Sequence, residues 1–148
     1  MLRFVKHITI YIMSLLYIIV GVKHFVDPNL FIPIVPPSLI YKEEIVLISG
    51  LIEIILGILL LFQQTRKIGA WGIIFLLIAI FPANIYLYTS DIARDTLGVS
   101  KNQALLRIPF QIPLIILAYW HSKKSDSKRS SIICIVLFIP TIIYLSTI

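Results

Sequence analysis

The chain has 148 residues, 59% of them hydrophobic and 14% charged, with a mean hydropathy of +0.98, which excludes an ordinary soluble globular domain. Its apolar runs are continuous over about 15 to 20 residues, which excludes the short alternating strands of a membrane barrel and predicts an all-α, polytopic membrane helix bundle. The net charge of +6 is not a nucleic-acid signal, because the basic residues lie in short loops between apolar segments. The single cysteine, Cys134, excludes an internal disulfide or a two-thiol relay.

The first apolar segment, about Ile8 to Phe25, follows Arg3 and Lys6 and ends in Lys23-His24-Phe25. It lacks a small-residue cleavage pattern and reads as a retained first helix rather than a signal peptide. Ser14, Tyr17, Gly21 and His24 recur at helical spacing and form one stripe, which should face neighbouring helices while the Ile and Leu majority faces lipid. From Val26 to Tyr41, Pro28, Pro33, Pro36 and Pro37 exclude a regular helix. This stretch is expected to be an interfacial loop that caps the bundle, or else a stiff connector.

The second helix, about Glu44 to Gln64, carries Gly50, Glu53 and Gly57 on one face. A carboxylate in the middle of a membrane helix costs roughly 2.5 to 3.5 kcal/mol, so Glu53 should be protonated, paired or facing a polar cavity. Arg107 is the only basic residue well inside another apolar segment, and we expect it to be the partner. The short turn from Gln63 to Lys67 makes the second and third helices antiparallel neighbours.

The third helix, about Ile68 to Tyr88, contains Pro82, which should kink it, and Asn84, a buried amide that needs partners. A polar stretch from Thr89 to Asn102 leads to the fourth helix, about Gln103 to Trp120, where Arg107 and Gln111 share a face beside Pro109 and Pro113. Lys123, Lys124, Lys128 and Arg129 then form a basic loop before a last apolar run, Ile132 to Ile148, long enough for a fifth transmembrane helix. Cys134 in that run reads as a packing residue, and the basic loop as an orientation signal with some affinity for anionic lipid.

With a cytoplasmic N-terminus, eight loop Lys and Arg residues fall inside (Arg3, Lys6, Arg66, Lys67, Lys123, Lys124, Lys128, Arg129) and four outside (Lys23, Lys42, Arg94, Lys101). The positive-inside rule therefore predicts an N-terminus in the cytoplasm and a C-terminus outside, in the inner (cytoplasmic) membrane. Among the acids only Asp126 falls inside. Helical rise then places His24 near the outer surface, Asn84 and Arg107 about one turn in, and Glu53 about 13 Å in, with Gln111 a turn below Arg107.

His24, Glu53, Asn84, Arg107 and Gln111 are thus candidate ligand-binding residues converging from four helices. Two readings of them stay open: a small polar pocket opening outward, or a buried clasp in which Glu53 and Arg107 fix helix register and the amides join helices. His24 and Glu53 are too few ligands for a closed metal site, with His7 and His121 on the other side. No serine or cysteine pairs with a base at this level, so no catalytic residue is assigned.

Gly21-Val22-Lys23-His24-Phe25 with Pro28 and Ile34-Val35-Pro36, then Ser49-Gly50 to Glu53 and Gly57, Phe81-Pro82-Ala83-Asn84, and Arg107-Ile108-Pro109-Phe110-Gln111 together resemble the DoxX-like membrane proteins. The resemblance covers about residues 8 to 121. It implies a four-helix core over residues 1–121, to which residues 122–148 add the basic loop and a fifth helix. Most DoxX-like proteins have no assigned reaction, while relatives in the wider group are associated with quinone-linked sulfur oxidation or membrane oxidoreductase complexes. The resemblance therefore implies a lipophilic ligand of the quinone class and a membrane redox partner. The residues alone also fit a small-solute carrier or channel-like protein, or a scaffold without ligand, and they leave enzymatic activity and oligomeric state open.

Overall fold

The computed structural model describes residues 1–125 and 127–146, with side chains as far as Tyr144. Its elements are α1 (Leu2–Val26), two 3₁₀ turns (Pro28–Leu30 and Ile32–Ile34), α2 (Lys42–Leu61), α3 (Arg66–Thr89), α4 (Asp91–Leu97), α5 (Lys101–Ser122) and α6 (Lys128–Ser146). No strand occurs among the described residues. Four helices, α1, α2, α3 and α5, are long and apolar enough to cross a membrane. Asp126 and the end of the last apolar run, Thr147 and Ile148, lie outside the described residues.

The long helices form a ring in which α1 contacts α2 and α6, α2 contacts α3, α3 contacts α5, and α5 contacts α6. Helices α2 and α5 stand across this ring without extended contact. Its interior is an apolar core that includes Ile10, Met13, Leu60, Ile73, Leu117 and Trp120. The outer surface is equally apolar: Leu15, Leu51, Phe75 and Ile112 are all exposed. That inverted surface is what a bundle solvated by hydrocarbon requires, since the hydrophobic effect no longer forces such side chains inward.

Close contact at two helix pairs explains the order of the ring. At α1–α2, a Cβ added to Gly21 would lie 2.6 Å from the Gly50 carbonyl oxygen, and one added to Gly57 would lie 2.9 Å from that of Ser14. The Ser14 Oγ donates to the Gly57 carbonyl at 2.5 Å. The two stripes of small and polar residues thus face each other, with backbones nearer than any side chain would permit. At α2–α3, the turn is closed by Arg66, which donates from Nε to the Leu60 carbonyl and from its guanidinium to Leu61, each at 3.1 Å. A residue counted as a topology signal therefore also satisfies the last carbonyls of α2.

The polar stretch after α3 is more ordered than a connector. Ser90 caps α4 by accepting from the Ala93 N–H at 3.2 Å, and Gly98, at φ 62°, ends it in the left-handed conformation. The buried Arg94 donates to the Leu87 and Tyr88 carbonyls and pairs with Asp91, which folds α4 back under the end of α3. Ser100 and Gln103 then form a reciprocal capping box that starts α5.

Candidate ligand sites

His24 and Glu53 come together at the α1–α2 contact. The imidazole Nδ1 is 3.5 Å from the Glu53 Oε2, and both residues are buried. A carbonyl only accepts, so the 2.8 Å contact between Nδ1 and the Val20 oxygen places a proton on Nδ1 and directs it away from the carboxylate. The His24–Glu53 contact becomes an ion pair when Nε2 is protonated as well. Among the described residues, Glu53 Oε2 has no hydrogen-bond partner.

The proline-rich segment roofs this pair. Phe31 stacks on the His24 ring with centroids 3.6 Å apart and planes at 17°, and the two 3₁₀ turns contact α1, α2, α3 and α4, so the segment caps the bundle. The expected depth of His24 is corrected accordingly: it lies beside Glu53 beneath the cap, not near the surface. The reason is a stagger of the helices. Because the cap lies over the end of α1, His24 meets α2 at Gly50, about two turns in from the start of that helix.

The expected pairing of Glu53 with Arg107 is also corrected. These residues belong to helices across the ring from each other, and the ion-pair partner within reach of Glu53 is His24. Arg107 is half-buried on α5, within electrostatic range of Tyr144 on α6; that tyrosine stacks on Phe110 with centroids 3.9 Å apart. Sequence spacing gives the position of each charge along its own helix but not which helices are adjacent.

Gln111 belongs to a second place. Its Nε2 donates to the Leu77 carbonyl at 3.0 Å and ties α5 to α3. There the two helices enclose a groove of about 460 Å³, lined by Leu77, Ile78, Phe81, Ile108, Pro109 and Gln111, with Ile112 and Ile115. Pro82 and Pro113 have no N–H, so the Ile78 and Pro109 carbonyls on the groove walls lack their usual helical donor. Asn84 is half-buried on α3 and does not line this groove. The five candidate residues therefore divide: His24 with Glu53, Gln111 in the groove, and Asn84 and Arg107 apart from both.

A third polar contact lies near the other end of α1. Thr9 gives its one hydroxyl proton to the Lys6 carbonyl at 2.8 Å, so its 3.1 Å contact with His121 Nε2 makes that nitrogen the donor. The sequence gives Thr9 no role and places His121 only on the side away from His24 and Glu53; nothing in it pairs the two. Phe31 was missed as well, although an apolar residue within a proline-rich loop hinted at a buried contact. No group of three His, Cys, Asp or Glu side chains among the described residues is arranged to hold a metal.

A family model described as a domain of unknown function (DUF8561) matches residues 13–122. No curated protein and no solved structure matches the chain.

Proposed function

The chain belongs to this family, the domain of unknown function DUF8561, and from that premise we propose that it is a membrane protein binding a small lipophilic molecule in the α3–α5 groove. The observation that carries the reading is the groove itself. Its volume of about 460 Å³ and its apolar walls around one buried amide are those of a small-molecule site, in which few polar groups fix orientation.

The polar groups also select the head group. Gln111 Nε2 is engaged by Leu77, which leaves its Oε1 and the freed Ile78 and Pro109 carbonyls as acceptors. A ligand offering hydroxyl donors suits them better than one offering only carbonyls. Within the quinone class implied by the DoxX-like resemblance, that is the hydroquinone, delivered to or received from a membrane redox partner. In this reading α1, α2, α3 and α5 are the DoxX-like core, α6 is a fifth span, and the N-terminus is cytoplasmic in the cell membrane.

Mass spectrometry of molecules co-extracted in mild detergent, with binding of a short-tailed hydroquinone and its oxidised form, tests the proposal. The hydroquinone should bind roughly threefold to tenfold more tightly, the equivalent of one hydrogen bond, and Ile112→Trp should block both. Equal binding by Ile112→Trp and the parent chain, or no binding at all, defeats it.

The second reading, a carrier for a small solute or ion, is favoured by Glu53, whose buried Oε2 has no hydrogen-bond partner among the described residues. Intramembrane carboxylates commonly mark ion or substrate paths. Solute or proton flux in proteoliposomes that is lost in Glu53→Gln would favour this reading over the first.

A further inference from the structure

The first half of α3 carries a separate groove of about 420 Å³, lined by Lys67, Ile68, Trp71, Gly72 and Phe75. Its polarity is graded. Phe75, at the mid-bundle end, and Ile68, beside Lys67, are about two-thirds exposed, at 67% and 65%, so the groove is open to hydrocarbon along its length. At the end bearing the N-terminus, Trp71 meets Tyr119 of α5 edge-on, with ring centroids 6.1 Å apart at 84°, and Lys123 Nζ stands 4.4 Å above the Tyr119 ring.

The cations at this end are not equivalent. Arg66 is directed at the α2 carbonyls, and Lys6 at the Lys123 carbonyl, 2.8 Å away. Lys67 and Lys123 are exposed, and neither is in an ion pair among the described residues. The groove thus joins an apolar trough to Trp71 and the Lys67 ammonium, and the Tyr119 ring with Lys123 above it stands beside Trp71. That sequence of chemistry, from the middle of the bundle to its rim, matches an amphiphile with an apolar chain and an anionic head. A transmembrane helix of a partner would instead present apolar side chains along its length and leave both lysines uncompensated.

We propose that this groove binds one anionic glycerophospholipid, its acyl chain along Ile68, Trp71 and Phe75 and its phosphate between Lys67 and Lys123. Trp71 and Tyr119 mark the level of the glycerol backbone, where amphipathic rings are favoured. The site lies apart from the Gln111 groove, and its occupancy does not depend on the ligand bound there.

The test is native mass spectrometry of the full chain released from nanodiscs of equal parts phosphatidylcholine and phosphatidylglycerol. Phosphatidylglycerol should be retained at least fivefold over phosphatidylcholine, and Lys67→Gln with Lys123→Gln, both at exposed positions, should abolish the preference. Trp71→Ala should reduce retention of both lipids. Adding inorganic phosphate should not displace the lipid, since free phosphate lacks the chain. Equal retention of the two lipids, a preference that survives the double lysine change, or full retention in Trp71→Ala overturns the proposal. So does a dimer whose interface buries Trp71 and Phe75. A melting curve for each variant separates lost lipid from a lost fold.

Discussion

His24 stands beside Glu53 because Gly50, on the same α2 face, has no side chain: a Cβ added there would lie 2.5 Å from the His24 Cβ. The absence of one carbon lets α1 come near enough for an imidazole to reach a carboxylate at 3.5 Å. Local packing thus precedes the electrostatics of the pair.

Gly50→Ala should therefore weaken the bundle, although alanine is the better helix former by about 1 kcal/mol. A side-chain Cβ is fixed to its backbone and does not rotate away, so the helices must separate, at a typical overpacking cost of about 1 to 3 kcal/mol. Thermal melting in detergent should show a clear loss for Gly50→Ala and little change for Leu51→Ala, whose side chain faces outward.

The pairing of Glu53 is open to a double-mutant cycle. Glu53→Gln and His24→Gln should be non-additive by at least about 0.5 kcal/mol, as contacting residues are, while Glu53→Gln and Arg107→Gln should add within about 0.3 to 0.5 kcal/mol. The opposite pattern in denaturation free energies would return Arg107 to the side of Glu53.

Phe31 shields the His24 ring by stacking on it. Removing it in Phe31→Ala should raise the rate at which an imidazole-modifying reagent labels His24, read by peptide mass spectrometry. Aromatic stacking contributes about 0.5 to 1.5 kcal/mol, so stability should fall only modestly. An unchanged labelling rate would mean that the cap does not control access to the pair.

Gln111 joins two helices and lines the proposed ligand groove, and the two roles separate experimentally. Gln111→Leu removes one interhelical hydrogen bond, worth about 0.6 kcal/mol on average in membrane proteins, and should lower the melting temperature slightly. If the groove holds the head group, the same change should also erase the preference for hydroquinone over quinone. A lower melting temperature with the preference intact would leave only the joining role.

Orientation has its own measurement. A reporter enzyme active only outside the cytoplasm should work when fused after residue 95 and fail when fused after residue 125, as the eight-to-four division of basic residues requires. The reverse pattern would invert the topology.

What the sequence determined by itself was what depends on composition and period. Long apolar runs gave α1, α2, α3 and α5 as membrane-length helices, and helical spacing put Ser14, Gly21 and His24 on one face and Gly50, Glu53 and Gly57 on another. The contact between those faces follows from chemistry readable in one dimension, because small residues are what close helix approach needs. Beyond the α2–α3 pair that the short turn from Gln63 to Lys67 implies, the tertiary structure alone decided which helices are neighbours. A carboxylate and a guanidinium at compatible depths suggested a pair, but depth is one coordinate and the order around the ring is another; Glu53 lies beside α1, across the ring from Arg107. The descent of the proline-rich cap likewise depends on apolar contacts between segments distant in sequence, and hydropathy along one segment carries no record of what lies above it.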